Sequence, residues 1–387
     1  MIKIKEINSD IIELKKSPLY AMSLASMELF HSNFWRWLME YDSKYIKVFF
    51  DIEIDKDKKL EIKREYKNTD ITIEYDKEIY IIENKFKSLP NVTQLKEYEN
   101  KFKDEKTNRS TFNKGIYTFP INEDFLKDKQ IYNWEFKSYK TIVDTIDKIR
   151  NGNESTIEAQ IIKEYVSMTN QIIKLIAKVK DFYGEEWIAY VKKENKQLLN
   201  LLTEARICDI IKKINCCIFS NKIQAEVEKE FSEELSKEEI IIQTTFSNTY
   251  PCLSVRWKRY YDINDKEKGY FLIGPQLQND ALRSMIHICT KELKISNIKI
   301  EKRETIDLMY NSIKDETFPD KYYLSNREKV YNEFKGIHDN KEYIAIYHYI
   351  KLDDFSFNNI CKQILELLRK YKNVDTDALL RKLKDIK

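Results

Sequence analysis

Hydrophobic positions change period several times along the chain, and each change marks an element. Over residues 18–41, Leu24, Glu28, His31, Trp35 and Leu38 recur at three- and four-residue spacing, with Phe34 and Trp37 widening the stripe, which predicts one helix. Strand patterning follows over 45–86, with strands predicted at Tyr45–Phe50, Lys59–Tyr66, Thr69–Tyr75 and Glu78–Phe86. Pro90-Asn91 breaks the pattern, Thr93 to about Lys106 returns to helical spacing, and Gly115–Phe119 reads as a short buried strand ended by Pro120. A strand at 131–139 and a helix at 141–150 complete this half.

Asn151-Gly-Asn-Glu-Ser155 is the best linker candidate, dividing a domain of residues 1–150 from one of 151–387. Beyond it the pattern predicts long helices at Thr156–Val179 and Glu185–Phe231. Strands at 240–246, 252–257, 270–274 and 343–347 come next, then a last helix at 358–371. The expected fold is thus α/β, a mixed central sheet flanked by helices, followed by an α+β C-terminal domain.

Composition removes several function classes. The 387 residues carry 67 Lys+Arg against 64 Asp+Glu, a net charge of only +3, so a nucleic-acid binder must show its basic surface locally. Only six glycines are present and none precedes a lysine, which excludes the phosphate-cradling P-loop and the Gly-rich dinucleotide turn. Six cysteines without a C-x-x-C spacing, several in apolar runs such as Cys216-Cys217-Ile218-Phe219, read as buried thiols in a reducing compartment. The N-terminus has no apolar signal core and no run approaches membrane-spanning length, so a cytoplasmic location without a membrane partner is expected.

The chemistry concentrates where the apolar strand Ile79-Tyr-Ile-Ile82 runs abruptly into Glu83-Asn84-Lys85. A hairpin turning at Asp76-Lys77 pairs Tyr75 with Glu78, Ile73 with Tyr80 and Asp70 with Glu83. Directly opposed residues share a face with Cβ atoms ~4.5–5.5 Å apart, and period-two alternation adds Lys85 to that face. Opposed carboxylates at the end of a buried strand are unfavourable unless a cation holds them. A hard divalent ion, Mg²⁺ with Mn²⁺ as substitute, suits Asp70 and Glu83 as ligands. Lys85 would then position or deprotonate an attacking water, or neutralise charge developing on a phosphoryl oxygen. The competing reading is a solvated Asp–Lys–Glu cluster on a surface hairpin.

Three features bear on that choice. Glu28 lies on an apolar helical stripe, where a carboxylate is costly unless paired, with His31 for example, or bound to a metal. Gln94 and Tyr98 lie four apart on one face of the following helix, available to a phosphate or a metal's water shell, or as a helix cap and a core tyrosine. Residues 85–114, including Lys87, hold eight Lys/Arg against four acids, a local excess in a nearly neutral chain. In the second half, Arg256-Trp-Lys258-Arg-Tyr-Tyr261 interleaves basic and aromatic residues, suiting phosphate contact and base stacking or a charge-protected edge strand. Ala378–Lys384 is a short basic amphipathic helix, read as a docked tail.

Together these residues resemble the PD-(D/E)XK nuclease superfamily, in which a helix precedes a three-stranded meander, a second helix and a further strand. Asp70 falls at the motif aspartate with Thr69 in place of proline, and Glu83-Asn84-Lys85 falls at its ExK. Gln94-x-x-x-Tyr98 looks like the QxxxY element of one branch, and Glu28-x-x-His31-Ser32 is similar to the E-x-x-H-S opening of a bacterial group. The resemblance covers about residues 20–120, extending toward 150. It implies a restriction-endonuclease-like core and metal-dependent phosphodiester hydrolysis at Asp70, Glu83, Lys85 and Gln94, with metal held by Glu28, Asp70 and Glu83. It further implies nucleic acid as partner, DNA in preference to RNA, contacted by Tyr98, Lys87, Arg256 and Lys258. Service in defence against foreign DNA also follows from it. Any energy coupling must come from a partner ATPase, since this chain has no NTPase motif. The alternative is a catalytically silent protein of the same fold that binds nucleic acid or scaffolds a complex.

Overall fold

A computed structural model describes residues 4–24, 26–103, 111–126, 131–150, 155–184, 186–187, 196–247, 250–260, 269–278, 281–290, 323–327, 343–352 and 354–374. The linker residues 151–154, Tyr261 and the basic tail Ala378–Lys384 lie outside them. The chain divides into two units, Met1–Gly184 with Lys193–Lys213, and Glu185–Lys192 with Ile214–Lys387. The first unit therefore extends beyond residue 150, because α6 (Ile157–Tyr183) belongs to it: Tyr165 stacks on Phe34 of α3 (Met27–Tyr41) at 3.6 Å.

The first unit is built on a five-stranded mixed sheet of order β1-β2-β3-β4-β5, comprising Leu60–Arg64, Ile71–Tyr75, Glu78–Glu83, Thr111–Phe119 and Trp134–Ser138. β1, β2 and β3 form an antiparallel meander, while β4 and β5 run parallel to β3. A parallel neighbour requires a crossover, and α4 (Val92–Lys103) lies in the one from β3 to β4. The β2–β3 register is the expected one, Tyr75 opposite Glu78, Ile73 opposite Tyr80 and Ile71 opposite Ile82. It follows from the two-residue turn, where Asp76 and Lys77 both have positive φ (46° and 71°), as the tight hairpin turn that matches strand twist requires. Ile79, Tyr80, Ile81 and Ile82 are all buried, so β3 is covered on both faces. Ile79 and Ile81 pack with Leu95, Tyr98 and Phe102 of α4, while Tyr80, on the opposite face, meets Phe50.

Several elements differ from the sequence expectation. The strand expected at 45–50 is a 3₁₀ turn over Ser43–Val48, started by Asp42, whose Oδ1 accepts from Lys44 N at 3.0 Å. Tyr45, Ile46, Val48, Phe49 and Phe50 are all buried. A strand would split these neighbours between two faces, whereas a 3₁₀ turn eclipses positions three apart and buries them together. The helix expected over 18–41 is interrupted: α2 is Pro18–Ser23, and Ser26 caps α3 by accepting from Leu29 N at 3.4 Å. The break puts Glu28 in the first turn of α3, where the helix dipole favours a negative charge. α1 (Ile4–Leu14), absent from the expectation, buries Ile7, Ile11 and Leu14. α5 (Tyr139–Ile149) follows β5 directly, capped by Ser138. The helix expected over 185–231 is instead α7 (Lys196–Glu204) and α8 (Cys208–Ser236), parted at Arg206 with φ 50°.

The second unit carries a six-stranded antiparallel sheet, β10-β11-β9-β8-β7-β6 in spatial order. Its strands are β6 (Ile240–Ser247), β7 (Tyr250–Tyr260), β8 (Gly269–Gln278), β9 (Ala281–Thr290), β10 (Tyr323–Arg327) and β11 (Tyr343–Ile350); β9 and β10 were not expected from the sequence. Phe219, Ile223, Val227 and Phe231 of α8, with Ile364, Leu368 and Tyr371 of α9 (Phe357–Tyr371), bury the face carrying Leu253, Val255, Trp257 and Ile273. Gly274 is required where it stands, since a Cβ there would come within 2.3 Å of the Val255 carbonyl oxygen. Cys208, Cys216, Cys217, Cys252 and Cys361 are buried, as expected. Among the described residues no helix is long and apolar enough to cross a membrane.

Candidate active site

Side-chain parity on β3 sorts the site. Glu83 continues the Ile79–Ile81 face toward α4, whereas Asn84 points the other way, toward α3. Asp70 immediately precedes β2, one step beyond the Ile71–Ile82 pair, and its Oδ2 accepts from the backbone N–H of Asn84 at 2.7 Å. Glu83 is 2% exposed, and its Oε1 meets Lys85 Nζ at 2.7 Å. Asp70, Glu83 and Lys85 thus converge as their spacing predicts. Thr69, in place of the motif proline, stiffens the preceding turn by donating from Oγ1 to Tyr66 O at 2.8 Å and sharing a 2.7 Å bond with Thr72 Oγ1.

The electrostatics follow from burial of two acids beside one base. Burial pushes Glu83 up first and the charge of Asp70 pushes it further, to about 7, with Lys85 opposing only in part. Asp70 is also raised, chiefly by burial, against the Asn84 amide and Lys85. Burial pulls Lys85 down, but Glu83, Asp70 and Glu28 together hold it above its ordinary value, so it remains an ammonium ion. The buried Oε2 of Glu83 has no hydrogen-bond partner. An orphaned carboxylate oxygen facing a second carboxylate fits a divalent cation. Mg²⁺ takes one or two protein carboxylates and keeps several waters, so Asp70 and Glu83 suffice in number. Among the described residues no three His, Cys, Asp or Glu side chains gather as a metal-holding group.

Glu28 holds the loop that follows Lys85 through one carboxylate oxygen. Its Oε1 accepts from the backbone N–H groups of Phe86 (3.0 Å), Lys87 (2.8 Å) and Ser88 (2.8 Å), and from Ser88 Oγ (2.7 Å). All four donations go to Oε1, and they fix the loop that follows Lys85. Burial raises the Glu28 carboxyl, but the donors of Ser88 and Lys87 with Lys85 outweigh it and keep it ionised. His31 does not pair with Glu28. It is fully buried, its Nδ1 lies 2.8 Å from the Tyr165 hydroxyl, and burial lowers it to about 3, so it stays neutral.

Asn84, formally the variable residue of ExK, makes five hydrogen bonds. Its N–H goes to Asp70, its Nδ2 to Glu28 O (2.7 Å) and Ser32 Oγ (2.8 Å), and its Oδ1 accepts from Thr118 Oγ1 (3.3 Å) and the Tyr139 hydroxyl. The backbone N–H of Lys85 donates to Thr118 Oγ1 at 3.0 Å. Neither Asn84 nor Thr118 stood out in the sequence, because their partners lie on four separate elements.

Gln94 and Tyr98 share one face of α4, as expected, and Gln94 Nε2 donates to the Tyr98 hydroxyl at 2.7 Å. That hydroxyl lies 3.5 Å from Glu83 Oε1. Tyr98 is 4% exposed, within the α4 cluster, so it orients Glu83 and does not present a ring to nucleic acid. Asn91, not Gln94, caps the helix, its Oδ1 accepting from Thr93 N at 2.8 Å and Gln94 N at 3.4 Å. Lys87 is half-buried beside the site, and Lys213 Nζ donates to its carbonyl oxygen.

Arg256 and Lys258 belong to the second unit and are 3% and 5% exposed. Arg256 Nη2 donates to Gln243 Oε1 at 3.1 Å, and its Nη1 lies 3.0 Å from His287 Nδ1. Lys258 sits over the rings of Tyr260 and Tyr270 at 4.6 and 5.4 Å. β7 pairs on both sides, with β6 and β8, so it is not an edge strand, and these two side chains are engaged within the sheet instead of facing a nucleic acid. Compared with known proteins, the chain matches no family model, no curated protein and no solved structure.

Proposed function

We propose that the first unit is a metal-dependent nuclease with a restriction-endonuclease-like core, hydrolysing phosphodiester bonds at Asp70, Glu83 and Lys85. The observation that carries this reading is the facing pair of buried carboxyls, one oxygen of Glu83 left without a partner, beside a lysine that remains charged. The antiparallel meander, the crossover through α4 and the parallel return at β4 support the family resemblance.

Asp70 and Glu83 would hold the cation. When bound, a divalent ion polarises a phosphoryl oxygen and lowers the pKa of water. Lys85, kept protonated by its acidic neighbours, donates hydrogen bonds to the attacking water or to a non-bridging oxygen, which favours orientation and charge neutralisation over deprotonation. Tyr98 and Gln94 hold the Glu83 carboxyl in place, and Asn84 locks the strand end that carries both neighbours. Water adds across a P–O bond, leaving a phosphate on one product strand and a hydroxyl on the other. A preference for DNA, a role against foreign DNA, a cytoplasmic site of action and a partner supplying ATPase or recognition rest on the resemblance and on composition.

One observation favours a second reading. No three-residue metal group is formed among the described residues, as in a silent protein that binds without cutting. Purified protein decides between them when incubated with circular plasmid, linear duplex, single-stranded DNA and RNA, in Mg²⁺, Mn²⁺ or EDTA, beside Lys85→Ala. Metal-dependent cleavage lost in the variant supports the nuclease; binding without cleavage supports the silent protein.

A further inference from the structure

The β3–β4 ladder ends at the Glu83–Tyr117 pair, just short of Lys85. Inside a ladder an amide finds a main-chain carbonyl, which any residue supplies. The Lys85 amide donates instead to a side chain, Thr118 Oγ1, at 3.0 Å. Tyr117 turns into the α4 cluster, so alternation sends Thr118 to the opposite face of β4, where it meets the Asn84 side chain. Thr118 is fully buried, so water cannot stand in for its hydroxyl.

That hydroxyl has one proton to give and lone pairs to accept with, and both capacities are used. It accepts from Lys85 and donates to Asn84 Oδ1 at 3.3 Å, while the Asn84 amide holds Asp70 Oδ2 at 2.7 Å. Branching at Cβ restricts its rotation. At the other end of Lys85, Nζ meets Glu83 Oε1 at 2.7 Å, and the side chain is 12% exposed. A lysine stem is flexible. Glu83 therefore fixes the tip of Lys85, and Thr118 fixes its root.

We propose that Thr118 is a positioning residue for the hydrolysis, its hydroxyl setting the backbone at Lys85 so that the ammonium group is aimed at the attacking water or the phosphoryl oxygen. This rests on the nuclease reading of Asp70, Glu83 and Lys85. Thr118 acts through Lys85 and not on the substrate, and a misplacement of about 1 Å at such a group costs up to roughly 10²-fold in rate.

The test is steady-state cleavage of linear duplex and plasmid DNA by the full-length protein in Mg²⁺, with Mn²⁺ affinity measured by calorimetry. Thr118→Val, Thr118→Ser and Tyr139→Phe are compared with wild type at a temperature where circular dichroism shows each folded. Thr118→Val keeps the shape of the side chain and removes the acceptor, so kcat should fall about 10–100-fold with KM and Mn²⁺ affinity unchanged. Thr118→Ser, which keeps the hydroxyl, should restore kcat. Tyr139→Phe removes the other donor to Asn84 Oδ1 and leaves the Lys85 amide bonded, so its loss should be smaller. Should Thr118→Val not fold, Thr118→Cys, with a weakly accepting sulfur, takes its place. Wild-type kcat in a folded Thr118→Val or Thr118→Cys overturns the positioning role and leaves the nuclease reading standing. So does a Thr118→Ser that fails to recover, or a Tyr139→Phe loss as large as that of Thr118→Val. A wild-type protein that cuts no nucleic acid in Mg²⁺ or Mn²⁺ overturns both.

Discussion

β3 and β7 are both interior strands that carry ionisable residues in otherwise apolar ladders, and the chain disposes of those residues differently. On β7, Arg256 and Lys258 sit in mid-strand, with a hydrogen-bonded neighbour on each side. Their side chains lie along the sheet and find neutral partners there: an amide and an imidazole for Arg256, two phenol rings for Lys258. On β3 the charges come where the ladder stops. Glu83 meets a second acid and a single lysine, and one of its buried oxygens is left without a partner. Buried charge spread among neutral partners within its own sheet reads as architecture, whereas an excess of like charge at a strand end reads as a place for something the chain does not supply.

The largest effect expected from breaking this contrast is on activity. Glu83→Ala and Lys85→Ala should each lower cleavage by about 10³-fold or more with the circular dichroism spectrum unchanged. Arg256→Ala should leave cleavage near wild type. Loss of cleavage in Arg256→Ala, or its survival in either β3 variant, breaks the comparison. In stability the order reverses: Arg256→Ala should cost about 2–3 kcal/mol in urea unfolding, because buried partners lose their donor.

The pH response sharpens the contrast further. The folded Glu83 carboxyl titrates at about 7 against an ordinary 4.5, so the folded state holds a proton that the unfolded chain releases between those values. Stability of the metal-free protein should therefore fall as pH rises through that window and level off above it. Glu83→Gln should remove most of the fall, about 1–3 kcal/mol. Mn²⁺ affinity measured by calorimetry should rise over the same window, as the ion displaces the proton, and flatten above it. An affinity independent of pH would separate the ion from Glu83. Tyr98→Phe, which removes only the hydroxyl near Glu83, should reduce cleavage by roughly 3–10-fold, with Gln94→Ala smaller still.

The β2–β3 register was legible because a two-residue turn and strict alternation determine it, and with it came the convergence of Asp70, Glu83 and Lys85. α1 was missed, because the stripe formed by Ile7, Ile11 and Leu14 is thin and flanked by charge. The turn at 43–48 was misread because a short apolar run looks alike in a strand and in a 3₁₀ turn. Arg256 and Lys258 were misread because whether a strand lies at an edge depends on which strands pair with it, a non-local fact. The role of Glu28 depended on the path of a loop that no periodicity encodes.

Asn84 carries a consequence for the order of assembly. Its five bonds reach α3, the residue ahead of β2, β4 and α5, so the end of β3 is closed only when all four have docked. A folding intermediate with the meander formed but α3 or α5 undocked would leave Asp70 and Glu83 hydrated, with ordinary acidities and little pull on a cation. Metal uptake would then trail sheet formation in a refolding experiment, making the bound ion a timer for the last step of folding.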